Sequence, residues 1–110
     1  VSAVICEHNL PWIVKRLGCR VEYWFRPTAP TNGSQAAAAL DADLDRFMHP
    51  AALNRGIMMT PFHNMALMCP DTTAADVDAH TRVFRDCVEL LLGLREPVDA
   101  GSSGAVRSRL

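Results

Sequence analysis

The sequence predicts an α+β domain of two layers: a short, mainly antiparallel sheet with helices packed on one face. Apolar residues alternate at period two early in the chain and recur at helical spacing in the middle and near the end. The resulting order is helix, strands, helix, strands, helix, with no repeated strand–helix–strand unit. Such an order favours a sheet covered on one side over a doubly wound parallel sheet.

The first nine residues read as the last turns of a helix, apolar at Val1, Val4 and Ile5, and Pro11 stops it. From Trp12 to Phe25 the pattern is that of a strand. Val21, Tyr23 and Phe25 share one face, and Arg20, Glu22 and Trp24 the other. Gly18 interrupts the run, which leaves two strands joined there or one bent strand. Arg26 to Ser34 holds two prolines and reads as a loop, with Asn32 or Ser34 able to cap the next helix.

Ala36 to Asn54 reads as one helix, with Leu40, Leu44, Phe47 and Ala51 at helical spacing and Gly56 placed to end it. Pro50 removes a helical hydrogen bond, so a kink or break is expected near His49. Ile57–Met59 and Ala66–Cys69 read as short buried strands, with a polar, proline-bound loop from Thr60 to Met65 between them. Thr73 and Asp76 have the spacing of a capping box. The final helix presents Val77, His80, Phe84, Cys87, Val88 and Leu91 on its apolar face and ends at Gly93. The expected domain therefore covers residues 1–96. Residues 97–110, rich in Gly, Ala and Ser, are expected to be a disordered tail.

Composition narrows the function. Eleven basic and twelve acidic residues leave a formal charge of -1, and the arginines are dispersed, so no field attracts nucleic acid or anionic lipid. No apolar run approaches the ~20 residues that span a bilayer, and the first residues lack the basic start of a signal peptide. No nucleic-acid or membrane partner is expected, and a cytoplasmic protein is. Cys6, Cys19, Cys69 and Cys87 form no close pairs and sit in apolar settings. They are expected to be buried free thiols, with no metal site.

Candidate chemistry is sparse. The sequence has no phosphate-binding glycine loop and no nucleophile or zinc signature. Asp41, Asp43, Asp45, Asp76 and Asp78 read as solvated faces and caps, and His80 as a hydrogen-bonded packing residue. Lys15, the single lysine, lies beside Arg16 in a strand without the pocket that activates a Schiff-base lysine. His63 is set apart because it lies on a constrained loop between apolar runs, where rigid flanks position side chains.

One stretch carries more. Ala52-Leu53-Asn54-Arg55-Gly56-Ile57-Met58-Met59-Thr60-Pro61-Phe62-His63-Asn64 resembles the LxxRGVxxxP segment of class III aminotransferases, in particular the glutamate-1-semialdehyde aminomutase-like branch. Asp71 to Asp78 resembles that family's start of its final helix, and Val14 to Phe25 sits where its first small-domain strands lie. The similarity runs from about Val1 to Leu94, with the segments in the family's order. It implies the C-terminal small domain of a fold-type I enzyme dependent on pyridoxal phosphate.

In that family the coenzyme is held by a large domain, and homodimers form their active sites at the subunit interface. None of the coenzyme-binding elements is present here, so no coenzyme is expected on this chain and catalytic residues are expected elsewhere. The resemblance makes His63 and Asn64 the substrate-pocket candidates. The aminomutase-like members place a polar, often acidic, residue in that loop. The loop here lacks the acid and is one residue shorter, which points to amino-group transfer. The expectation is thus a domain that shapes the substrate pocket of a transaminase and is inactive alone. Its expected partners are the large domain and a second copy in a homo-oligomer. The competing reading is a free-standing, non-catalytic α+β interaction module.

Overall fold

The computed structural model describes residues 1–60 and 63–96. It has the α+β architecture expected: a three-stranded antiparallel sheet in the order β1-β2-β3, and four helices. The elements are α1 (Ser2–Glu7), β1 (Ile13–Leu17), β2 (Arg20–Trp24), α2 (Gly33–Ala37), α3 (Ala42–Leu53), β3 (Met65–Leu67) and α4 (Ala74–Leu91). The tail expected from Pro97 to Leu110 lies outside the described residues.

Gly18 settles the form of the first strand region. Leu17 pairs with Arg20 across a two-residue turn, and Gly18 takes a φ of +58°, a conformation that disfavours any residue with a Cβ. The result is a hairpin rather than one bent strand. Its register places Val14 opposite Tyr23 and Lys15 opposite Glu22, so each pair shares a face of the sheet. The β3 strand adds Ala66 opposite Val21 and Met65 opposite Glu22.

All the packing is gathered on the Tyr23 face. Tyr23 is 4% exposed and meets Phe84 of α4 edge-on, with ring centroids 5.1 Å apart. Trp12 stacks on Tyr23 at 6.0 Å and touches the edge of Phe25 at 4.9 Å. Around these rings close Val4 and Ile5 of α1, Met48, Ala51 and Ala52 of α3, and Cys87 and Val88 of α4. Edge-to-face aromatic pairs add roughly 0.5–1.5 kcal/mol beyond the area they bury. Burial holds the Tyr23 hydroxyl well above its ordinary pKa, with the charge of Asp45 adding to the effect. On the opposite face Leu17 and Leu67 remain exposed, so the layers are two and the second face is uncovered.

Several expectations are corrected. The single helix from Ala36 to Asn54 is two: α2, capped by the Asn32 side chain, and α3, capped by Asp41. The Asp41 carboxylate accepts from the N–H groups of Asp43 and Leu44, and that cap ends the alanine run as a continuous helix. Leu40 consequently falls between helices and is exposed. Pro50 does not break α3, which runs through it to Leu53. Both Arg46 and Pro50 are exposed, so the carbonyl left without its helical partner can be solvated.

Ile57–Met59 is not a strand. Gly56 takes a φ of +86°, Ile57 N–H returns to the Ala52 carbonyl at 3.0 Å, and Met58 is exposed. The helix end uses the backbone groups a strand would need. The following strand is shorter than Ala66–Cys69 and shifted, because Cys69 N–H donates to Thr72 Oγ1 instead of extending the ladder.

The four cysteines are free, but only Cys87 is buried. Cys19 sits in the hairpin turn, Cys69 in the turn before α4, and Cys6 on the outer side of α1. Burial raises the Cys87 thiol's pKa, whereas the Thr72 hydroxyl, followed by the backbone at Asp71, pulls that of Cys69 down.

The capping box at the start of α4 is formed as expected. Asp76 N–H donates to Thr73 Oγ1, and Thr73 N–H donates to the Asp76 carboxylate at 2.8 Å. Those bonds from Thr73 hold the Asp76 carboxyl below its ordinary value of 3.8. A carboxylate with a depressed folded-state pKa contributes stability above its unfolded value and loses it as pH falls through the folded one. Thr73→Ala is expected to cost about 1 kcal/mol in urea unfolding at neutral pH. The difference from the parent chain is expected to shrink as pH falls below about 4. Phe84→Ala, which empties the contact between α4 and the sheet, is expected to cost about 3–5 kcal/mol by the same measurement.

Candidate functional site

The segment from Thr60 to Leu67 is tied at both ends. Thr60 Oγ1 donates to the Met65 carbonyl at 3.2 Å, and His63 N–H donates to the Thr60 carbonyl at 3.3 Å. Tyr23 N–H donates to the Asn64 carbonyl at 3.1 Å, which continues the β2–β3 pairing one residue beyond β3. Asn64 therefore stands opposite Tyr23, and its side chain projects to the helix face. Residues alternate along an extended chain, so His63 projects to the other face.

The contacts agree with that alternation. Asn64 is 8% exposed, and its amide is engaged on both sides by α3. Nδ2 donates to Asp45 Oδ1 at 3.1 Å, and Oδ1 lies 3.0 Å from His49 Nε2. An amide oxygen accepts only, so His49 carries its hydrogen on Nε2. His63, by contrast, is half exposed, and its Nδ1 lies 3.3 Å from Glu22 Oε1. The second oxygen of Glu22 takes a hydrogen bond from Arg20 Nη2. Glu22 is 7% exposed, an unusual burial for a carboxylate; one oxygen takes a hydrogen bond from Arg20 and the other lies beside a ring nitrogen of His63.

The two sequence candidates are thus adjacent in the chain but separated in space. Asn64 is a connector between α3 and β2, and His63 belongs to a polar cluster with Arg20 and Glu22 on the uncovered face. Sequence reasoning missed Asp45, His49 and Glu22 as members of this arrangement. The only signal for Glu22 was its position between Arg20 and Trp24 on the face away from the core. Asp45 and His49 are one helical turn apart, so one side chain can reach both, but nothing local tells that Asn64 does so.

A recess of about 560 Å³ opens between the sheet, Met58–Met59 and the first turns of α4. Its walls are mainly Val14, Val21, Met59, Met68 and Val77, with His80 and Arg16 at its polar points. Neither His63 nor Asn64 lines it. Burial pushes the pKa of His80 down, which disfavours its charged form.

The residues present do not fit pyridoxal phosphate. Lys15 lies on the uncovered face, opposite Glu22 in the ladder, and not in the recess, which its neighbours Val14 and Arg16 line. At the start of α4, where a phosphate would dock, the Asp76 carboxylate already accepts from Thr73 and would repel an anion. Among the described residues no group of three or more His, Cys, Asp or Glu could hold a metal ion, and no helix is long and apolar enough to cross a membrane.

No family profile matches the chain, and no curated protein matches it. Solved structures do. A glutamate-1-semialdehyde aminomutase from Pseudomonas aeruginosa PAO1 is 49% identical with a TM-score of 0.77, over 81% of this chain and 20% of that one. A lysine-to-alanine variant from the same organism, in complex with PMP, is 50% identical with a TM-score of 0.75, over 78% of this chain and 19% of that one. The fold and the sequence together therefore show a resemblance to a portion of a class III enzyme dependent on pyridoxal phosphate. Within that class the likeness is to glutamate-1-semialdehyde aminomutase, and the chain spans about a fifth of the length of those structures.

Replacing Asn64 tests its role as connector. Asn64→Ala leaves Asp45 and His49 without their shared partner, and is expected to cost about 1–3 kcal/mol in chemical unfolding. Secondary structure by circular dichroism is expected to be retained.

Proposed function

We propose that residues 1–96 form the small domain of a class III aminotransferase, which shapes the substrate pocket of an enzyme that moves an amino group from an amino compound to a carbonyl compound. One observation carries this reading: half the positions are identical to an aminomutase of this class across four fifths of the chain, yet that stretch is only a fifth of the enzyme. The parent enzyme is then a homodimer located in the cytoplasm.

The division of labour follows from the residues. A bound coenzyme supplies the electron sink, and that chemistry belongs to the large domain. What this chain contributes is position and exclusion of water. At the hairpin end of the uncovered face, Leu17 and Leu67 flank Arg20 and are 78% and 61% exposed, an apolar edge for the large domain to cover. His63 and Asn64 remain the pocket candidates in different capacities. His63 is the side chain a substrate could touch, and Asn64 holds the segment that presents it. The loop carries no acid, which favours amino-group transfer over mutase chemistry.

The test is reconstitution of the chain alone. Incubated with pyridoxal phosphate and desalted, it is expected to retain no coenzyme absorbance and to consume no amine. Stable retention with turnover of an amine would overturn the reading, because the lysine nucleophile and phosphate site would then have to lie in this chain.

A further inference from the structure

The arrangement around Glu22 defines more than a salt link. We infer that Glu22 is a positioning residue that holds His63 as the tautomer protonated on Nδ1, and so presents the Nε2 lone pair to a hydrogen-bond donor arriving at the uncovered sheet face. The inference rests on the aminotransferase reading only in naming that donor, which is the amino group of the amino compound.

The carboxylate sets the first requirement. Glu22 is nearly buried and lies on the face of the sheet that has no helix over it. A carboxylate taken out of water needs donors on both oxygens. Arg20 serves Oε2, and Nδ1 of His63 lies 3.3 Å from Oε1. The contact is not aligned as a hydrogen bond in the free chain; turning the half-exposed ring would bring an Nδ1 hydrogen into line, and such contacts commonly tighten when a ligand is bound. A carboxylate cannot donate, so the tautomer with a lone pair on Nδ1 would set two acceptors against each other.

The backbone restricts the alternatives. Asn64 is gripped by Asp45 and His49 on the helix face and by Tyr23 N–H in the ladder, so the preceding residue cannot turn its ring into the core. Lys15 also stands opposite Glu22 in the ladder, yet both carboxylate oxygens already have nearer partners. Among the described residues nothing is bonded to His63 Nε2. In the neutral ring so held, Nε2 is the acceptor. A carboxylate fixing the tautomer of a histidine in this way is a common means of setting which ring nitrogen acts.

The experiment is nuclear magnetic resonance of the chain with ¹⁵N-labelled histidine, recorded at a pH where the ring is neutral, with His63→Gln used to assign the signals. The expected pattern shows Nδ1 with the shift of a protonated ring nitrogen and Nε2 with that of an unprotonated one. In Glu22→Gln the Nδ1–H form is expected to fall severalfold relative to the other. A wild-type His63 found mainly protonated on Nε2, or a ratio unchanged in the variant, would overturn the inference. If the variant does not fold, the wild-type spectrum alone decides. Because the readout needs no coenzyme and no turnover, its failure is distinguishable from failure of the aminotransferase reading.

Discussion

The contact on which the rest of the domain depends is the meeting of Tyr23 with Phe84, with Trp12 stacked alongside. It fastens the central strand to the longest helix and fixes which face of the sheet is inside. Three strands and a handful of short helices cannot build a second core, and small domains bury a modest share of their surface. Once the aromatic cluster has claimed one face, the other must be left to solvent or to another part of a larger molecule. The exposed Leu17 and Leu67 are the direct consequence.

That one-sidedness separates two kinds of residue in the same short segment. Asn64 faces inward and is consumed by the scaffold, since both ends of its amide are bonded to α3 and its carbonyl to β2. His63, one residue earlier, faces outward, with its Nδ1 3.3 Å from the Glu22 carboxylate. The alternation of an extended chain sends the two neighbouring side chains to opposite faces of the sheet. The apolar recess on the helix side is walled mainly by methionine and valine, and neither His63 nor Asn64 lines it.

Much of this was legible from local pattern. The alternation of Val21, Tyr23 and Phe25 named the inner face of β2, and the spacing of Phe84, Cys87 and Val88 named the buried side of α4. Thr73 and Asp76 marked the start of that helix, because a capping box is a short-range device. The failures share a cause in long-range or competing bonds. The alanine-rich run looked like one helix until Asp41 proved to cap a new one. Ile57 looked like strand, but its N–H is taken by the end of α3. Apolar neighbours in the sequence suggested buried cysteines, whereas three of the four fall on turns or outer surfaces. The grip of Asp45 and His49 on Asn64 spans nineteen and fifteen residues, beyond the reach of any periodicity.

A face that packs and a face that does not, together with a sequence half identical to one fifth of an aminomutase, liken the chain to a portion of a larger enzyme. The most direct measurement is the size of the native polypeptide, detected in its source cells with an antibody raised against α4. The account predicts a single species several times the mass of this chain, carrying a coenzyme-binding domain ahead of these residues. Detection of only a 12.1 kDa species would contradict it.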